Sequence, residues 1–346
     1  MINLPSLKEA NIEGKTVLLR ADLDVPIDNS KISDSSRLEA SIPTVEFLLN
    51  KKCKVLICGH LGRPTGKDDK PSLLTVSEWF AEKFNSQAKQ ISVGGFDAWE
   101  ISSNLTLLEN LRFYPEEENN DPEFAKKLAS LSEIYVNDAF ASSHRDHASI
   151  VGIPKFLPHF AGLHLQKEVE TLSKAMENPR RPLAAVIGGA KIETKLPLVS
   201  KMHEFADSVL VGGEIAEYIR ELIKVDHEKT GRKSHLSVAH LTPDQKDITE
   251  ESLEKFIETI NKSATVVWNG PLGVILPGNY ENPSTKFARS LAENPNIYSI
   301  VGGGDTVELT NRIGLKDKFS FVSTGGGAML EFLSGQILPG LSALQK

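Results

Sequence analysis

Cysteine is nearly absent: the 346 residues carry only Cys53 and Cys58. The two flank what reads as one buried strand, whose extended geometry holds them too far apart to bond. A disulfide framework is therefore excluded, and two reduced core thiols in a cytoplasmic protein are expected. Positive charge is also in short supply. Lys and Arg number 39 against 46 Asp and Glu, for a net charge of -7 and a pI near 5.8. That balance argues against nucleic acid or an anionic membrane as the main partner. No apolar run approaches the roughly 20 residues that span a bilayer. The opening segment MINLPSLKEANIEGK has no basic start, apolar stretch or small-residue cleavage site, so no signal peptide is read there. Internal repeats, heptads and low-complexity tracts are missing. Neither GxxxxGKS/GxxxxGKT nor GxGxxG occurs, which disfavours a P-loop NTPase and an ordinary dinucleotide fold.

Hydrophobic residues at 40% and charged residues at 25% describe an ordinary folded protein, long enough for two domains with separate cores. Short aliphatic and β-branched runs alternate with helical stretches, which is the α/β pattern. Strands are expected at Thr16–Arg20, Lys54–Cys58, Leu105–Leu108 and Glu133–Asn137 in the first half. Leu183–Ile187, Ser208–Val211, Thr265–Trp268, Tyr298–Val301 and Phe319–Val322 follow in the second. Runs such as AAVI and SVLV suit strands buried on both faces, hence mainly parallel sheets flanked by helices. An amphipathic helix over Leu163–Met176 ends in ENPRRP, where closely spaced prolines stop it, and the domain joint is placed there. The stretch from Lys224 to Ser263 is polar and weakly patterned, with one helix expected at Glu250–Ile260.

Four times in the second half an apolar strand runs into glycines and then a helix: AAVIGGAKIETK, SVLVGGEIAEYI, SIVGGGDTVEL and FVSTGGGAMLEFL. Glycine permits a tight turn and close approach to exposed amides, and a helix start adds unpaired N–H donors. One such turn is weak evidence, because glycine often only closes a bend. Four of them favour oligophosphate binding. Lys191 and Lys195, four apart at a helix start, are expected to offer at least one ammonium to a phosphate. Asp305 either caps its helix or orients magnesium through water.

The first half repeats a different theme, a basic residue just beyond a strand. Arg20 and Asp22, His60 and Arg63, Arg112, and then His144, Arg145 and His147 all stand in such places, with Arg37 at the head of a helical stretch. Singly, each is an ordinary surface charge. Together, in an acidic protein, they suggest a pocket for a small, multiply charged anion. A polyphosphate half-site and an acid half-site point to phosphoryl transfer, with domain closure bringing them together.

The segments RADLDVP, HLGRP, LLENLRF, VNDAFASSHR, IGGAK, VVWNGPLG, GGGDT and STGGGAMLE occur in the order found in phosphoglycerate kinases, and the chain resembles that family over nearly its whole length. The resemblance implies two Rossmann-like domains joined by a long interdomain helix. Residues 1–160 would bind phosphoglycerate, 161–178 would form the helix and hinge, 179–322 would bind nucleotide, and 323–346 would pack back on the first domain. The acid would be held by Asp22, Leu23, Asp24, Arg37 and His60, with Leu61, Gly62, Arg63, Arg112 and Arg145. Nucleotide would meet Gly189, Ala190, Lys191, Lys195, Glu214 and Asn269, and further on Leu276, Gly303, Gly304, Asp305, Thr306, Gly325 and Gly326. The implied reaction is direct, in-line transfer between 1,3-bisphosphoglycerate and ADP, giving 3-phosphoglycerate and ATP. Magnesium travels with the nucleotide, Arg37 and Lys195 stabilise the transferred group, and the protein is a cytoplasmic monomer with small-molecule partners.

Departures from the family cluster on the nucleotide side. Leu276 stands where an acidic residue usually holds the ribose, Glu214 replaces a glycine, and Thr194 replaces an acid associated with magnesium. Glu193 is one place away, about 100° around the helix, and is not equivalent. Asp24 replaces Asn, and Ala141 a common glycine. The region after Arg220 is shortened, and the strand usual there is missing or reshaped. One account is a compact working kinase in which Glu214 supplies the ribose contact. The others are a non-catalytic sensor of phosphoglycerate or nucleotide, and a kinase for another small acid. Retention of Arg37, Lys195, Asp305 and the GGGDT turn together favours the first.

Overall fold

The computed structural model describes residues 2–64, 71–225, 234–275 and 282–345, the side chains of 221–225 excepted. Two compact units emerge, one formed by Ile2–Val169 with Ile337–Lys346 and the other by Glu170–Gln336.

In the first unit the strands are β1 (Thr16–Arg20), β2 (Ile27–Asp28), β3 (Lys31–Ile32), β4 (Lys54–Cys58), β5 (Lys89–Val93), β6 (Phe96–Ser102), β7 (Leu105–Leu108), β8 (Ile134–Asn137) and β9 (His159–Ala161). Seven of these make one sheet in the order β5-β6-β7-β4-β1-β8-β9, and β2 with β3 forms a separate hairpin. β1 lies at its centre, parallel to β4 on one side and β8 on the other. Its last four residues and those of β4 are all buried, as a strand covered on both faces requires. Helices α1 (Ser36–Asn50), α2 (Leu74–Lys83), α3 (Pro115–Glu118) and α4 (Pro122–Ala129) follow in turn, and the chain passes from the first unit to the second within α5 (Leu163–Glu177). A core including Val17, Leu19, Leu38, Val45, Ile57 and Phe80 fills the space beneath them. The antiparallel β5–β6 hairpin turns on Gly94 and Gly95, both at positive φ, which suits a two-residue hairpin loop.

The second unit carries β10 (Leu183–Ile187), β11 (Ser208–Val211), β12 (His235–Val238), β13 (Thr265–Asn269), β14 (Tyr298–Gly302) and β15 (Phe321–Val322). All are parallel, in the order β12-β11-β10-β13-β14-β15. Its helices are α6 (Ile192–Phe205), α7 (Ile215–Val225), α8 (Glu250–Asn261), α9 (Pro283–Glu293), α10 (Gly304–Arg312) and α11 (Gly327–Leu333). The final helix, α12 (Pro339–Leu344), belongs to the first unit, where Gly340 N donates to Ser143 O at 2.9 Å. Within residues 323–346, then, α11 and α12 fall in different units.

Connection order reverses between β1 and β8 in one sheet and between β10 and β13 in the other. In open α/β sheets, ligands bind beyond the C-terminal strand ends at such switch points. A strand also occupies the stretch after Arg220: β12 pairs with β11 in parallel register, so of the two expectations, missing or reshaped, the strand is not missing. Among the described residues no helix is long and apolar enough to cross a membrane.

Candidate functional site

The basic residues of the first unit gather where β1, β4, β7 and β8 end. Arg20 is the exception, because it is wholly buried and directed inward. Its Nε donates to Ser149 Oγ (2.8 Å), Nη1 to Ala21 O and Nη2 to His60 Nδ1 (2.8 Å). Asp22 ties the β1 loop to the loop after β8, accepting from Ala141 N (2.7 Å) and Ser142 Oγ (2.6 Å). Asp24 accepts from Gly62 N at 2.9 Å, and its main-chain oxygen accepts from Arg37 Nη1 at 2.6 Å. The Asp24 carboxylate lies 3.7 Å from the same Arg37 nitrogen. Arg37 itself stands in the first turn of α1 and is half-buried.

Arg112 is 5% exposed. Its Nη1 donates to Gly62 O, its Nε lies 3.1 Å from Glu118 Oε1, and its Nη2 has no hydrogen-bond partner among the described residues. A buried, unpaired guanidinium donor calls for an anion. Burial, then Arg145, pulls the Arg112 pKa down, while Glu118 opposes both. Burial first, then Arg20, Arg112, Arg145 and His147, hold His60 well below the ordinary imidazole range. His147 is lowered to about 3 by burial and the same arginines. Its Nδ1 sits 3.9 Å from Glu117, but a neutral ring forms no ion pair. Arg63 is exposed and Arg145 half-buried. Leu23 and Leu61 are core residues, and both backbone groups of Leu61 bind Asn110.

Asn110 was not singled out from the sequence, although it lies inside the LLENLRF segment. Fully buried, it also donates to Pro71 O and accepts from Arg112 N, clamping the loops that carry Gly62 and Arg112. Glu117, Ser142 and Ser149 were missed as well. An isolated Glu or Ser carries no signal until the fold supplies its distant partner.

The glycine turns of the second unit prove to differ from one another. At the ends of β10 and β11 they pack backbone on backbone. Gly188 N donates to Asn269 O (3.0 Å), Gly189 N to Pro271 O (2.8 Å) and Gly213 N to Leu272 O (2.8 Å). A Cβ on Gly188 would lie 2.1 Å from Pro271 O, and one on Gly270 2.1 Å from Gly188 O. These amides are engaged within the protein, so at these turns the glycines close a tight, packed bend. The start of α10 is different. Its first intrahelical bond runs from Val307 N to Gly303 O, so the amides of Gly304, Asp305 and Thr306 are the unpaired donors of a helix N-terminus. Gly304 has nothing within 4 Å of an added Cβ. Thr306 Oγ1 accepts from Gly270 N at 3.0 Å, binding this turn to the one after β13.

Lys195 is 8% exposed, and its Nζ donates to Asn269 O at 3.3 Å and to Asn269 Oδ1. Burial lowers its pKa to about 8, against the pull of Asp305. Asn269 is wholly buried and anchors Lys195. Lys191, Glu193 and Thr194 are exposed, and Gly326 precedes α11 at positive φ while Gly325 is buried. A cavity of about 400 Å³ opens among these turns. Gly189, Ala190, Glu214 and Asp305 line it, together with Gln245, Lys246, Val274, Ile275, Glu308 and Arg312, which sequence reading passed over. Leu276 lies outside the described residues.

Comparison with known proteins follows the same lines. The family profile described as "Phosphoglycerate kinase" matches residues 7–239 and 222–336. The phosphoglycerate kinase of Dictyoglomus turgidum is 38% identical over 386 aligned positions, covering 98% of each chain. "Phosphoglycerate kinase 3, cytosolic" of Arabidopsis thaliana is 37% identical, covering 99% of this chain and 98% of its own. The alignments run longer than 346 positions, so these relatives carry residues that this chain lacks. The solved phosphoglycerate kinase of Coxiella burnetii superposes with a TM-score of 0.82 at 32% identity, covering 99% of both chains. That of Pyrococcus horikoshii gives 0.80 at 28%, covering 99% of this chain and 98% of its own. With its fold, its ordered segments and its full-length similarity in agreement, the chain belongs to the phosphoglycerate kinase family.

Proposed function

We propose that phosphoglycerate binds in the first unit, on Arg37, His60, Arg63, Arg112 and Arg145, and that nucleotide binds in the second. The observation that carries this reading is Arg112, a buried guanidinium whose Nη2 has no partner among the described residues, close enough to Arg145 and His60 to shift or be shifted by them. A small acid with carboxylate and phosphate oxygens supplies the missing acceptors. In the second unit the nucleotide occupies the cavity lined by Ala190, Glu214 and Asp305, with its phosphates toward the α10 start and Lys195.

The reaction is one displacement. A carboxylate oxygen of 3-phosphoglycerate bonds to the terminal phosphorus of ATP as the bond from that phosphorus to the bridging oxygen breaks. ADP leaves, and the reverse direction makes ATP. Negative charge spreads over the equatorial oxygens in the transition state, so positive groups do most of the work. Arg37 and Lys195 are assigned that role. Closure about residues 161–178 brings the substrates together and excludes water from the acyl phosphate.

Magnesium fits as a companion of the nucleotide. Among the described residues no three His, Cys, Asp or Glu side chains are arranged to hold a metal ion. An ion bound mainly by phosphate oxygens and water needs only one protein carboxylate, here Asp305. When bound, it neutralises phosphate charge. A monomer working in the cytoplasm completes the proposal. It is tested by a coupled assay with ATP and 3-phosphoglycerate. Turnover that disappears in folded Lys195→Ala supports the kinase, whereas tight binding of both ligands without turnover marks a sensor.

A further inference from the structure

Arg20 ends the central strand of the first unit and was grouped, on sequence, with the substrate cations. Its surroundings assign it another task. It is wholly buried, and each guanidinium nitrogen already has a partner in Ser149, Ala21 or His60. Resting on the placement of the acid in this unit, we propose that Arg20 is a positioning residue that locks His60 as the neutral tautomer with its proton on Nε2. His60 then offers the acid a hydrogen-bond donor that does not change with pH.

The argument starts from what a guanidinium can do. It donates and never accepts, and it keeps its charge at any pH a protein survives. His60 Nδ1, 2.8 Å from Arg20 Nη2, must therefore be the acceptor, which leaves the ring proton to Nε2. A proton on Nδ1 would set two donors head to head. A second ring proton would add a cation where Arg20, Arg112, Arg145 and the His147 ring already surround the imidazole, itself only 2% exposed.

The lock continues behind Arg20. Ser149 Oγ accepts from Arg20 Nε, so its own hydrogen is free for Glu117 Oε1, and Ser149 N donates to Glu117 Oε2 at 2.9 Å. Tyr135 Oη holds the Ser149 carbonyl at 2.6 Å. Glu117 is as fully buried as Arg20 and is its counter-charge across one hydroxyl. A buried cation without such a partner is costly. The chain Glu117–Ser149–Arg20–His60 thus runs from α3 through β1 to the loop after β4, and it fixes one ring in one protonation state. With His60 and His147 both neutral, the negative charge of the acid falls to the arginines alone.

The wild-type full chain, labelled with nitrogen-15 in its histidine rings, gives the direct test, with the His60 signals assigned by their loss in His60→Gln. Across about pH 5 to 8, where an ordinary histidine titrates, His60 is expected to show an unprotonated Nδ1 and a protonated Nε2 throughout. A second proton taken up in that range, or a proton residing on Nδ1, overturns the lock. The isosteric change Glu117→Gln tests the supporting charge. A mixed His60 tautomer is expected, with KM for 3-phosphoglycerate raised about fivefold and kcat little changed. A lower melting temperature with the His60 spectrum and KM unaltered would show that Glu117 only stabilises the fold, and would overturn its part. Calorimetric titration of wild type with 3-phosphoglycerate separates the two levels. Absence of binding refutes the acid site itself, whereas binding by a protein whose His60 titrates refutes only the lock.

Discussion

The two units prepare for anionic ligands with different materials. In the first, charged side chains do the work, fixed in place by buried partners such as Asn110, Glu117 and Ser149. In the second, backbone turns do most of it, and among the described residues Lys195 is the one buried cation there. Each unit nevertheless repeats one economy. The groups nearest the sheet, Arg20 in one and the amides of Gly188, Gly189 and Gly213 in the other, are engaged inside the protein. The next layer out, which includes Arg112, Arg145 and the α10 start, is the part proposed to meet a ligand. Precision in the first unit rests on hydrogen bonds to side chains, and in the second on close packing of main chain. The two should therefore fail in different ways.

The largest effect is expected from Arg37→Ala. Removing the cation proposed to meet charge developing in the transition state should lower kcat by about 10² to 10³-fold, with the fold intact by circular dichroism. A change of less than tenfold would remove Arg37 from the reaction. Next comes Gly188→Ala, which forces a Cβ to within 2.1 Å of Pro271 O. A loss of about 3 kcal/mol in stability is expected, measured by denaturant unfolding, with nucleotide affinity reduced and 3-phosphoglycerate affinity unchanged in protein still folded. Equal loss of both ligands would break the comparison between the units.

A pH profile is expected to separate them further. Lys195, lowered to about 8 by burial, is protonated below that pH and loses its charge as pH rises through it. Phosphoryl transfer should accordingly fall on the alkaline side, while 3-phosphoglycerate binding, proposed to rest on arginines, stays level. The smallest effect is assigned to Glu214→Gly. Glu214 is exposed on the cavity rim, so losing one solvent-facing contact should weaken nucleotide binding about fivefold by calorimetry. Unchanged affinity would dismiss Glu214 as the ribose contact.

Much of the scaffold was legible because buried parallel strands advertise themselves. Thr16–Arg20, Lys54–Cys58, Leu183–Ile187 and Ser208–Val211 were read with their observed bounds, each a continuous apolar run. The strands that escaped notice are the short β2–β3 hairpin, the interior antiparallel β6, and β5, β9 and β12, the last three at sheet edges. Edge strands bury less surface, so KQISV and HLSV show half-exposed patterns without a clear run. The site was legible as a collection of charges and glycines but not as a hierarchy. Whether a donor is free depends on partners far along the chain: Ser149 lies 129 residues from Arg20, and Asn269 lies 74 from Lys195. Local spacing carries no trace of such pairings. Glycine shows the same limit, since a tight turn that packs and a tight turn that binds have the same sequence signature until their neighbours are known.

The division of labour between the units is tested most directly by a crossed titration. Calorimetry would measure 3-phosphoglycerate and magnesium–ATP, each alone, against folded Arg112→Lys and folded Lys195→Ala. Arg112→Lys is expected to weaken the acid about tenfold or more and leave the nucleotide untouched, because a point charge cannot replace a planar fork. Lys195→Ala should do the reverse. Loss of both ligands in either variant, or the opposite pairing, would contradict the account.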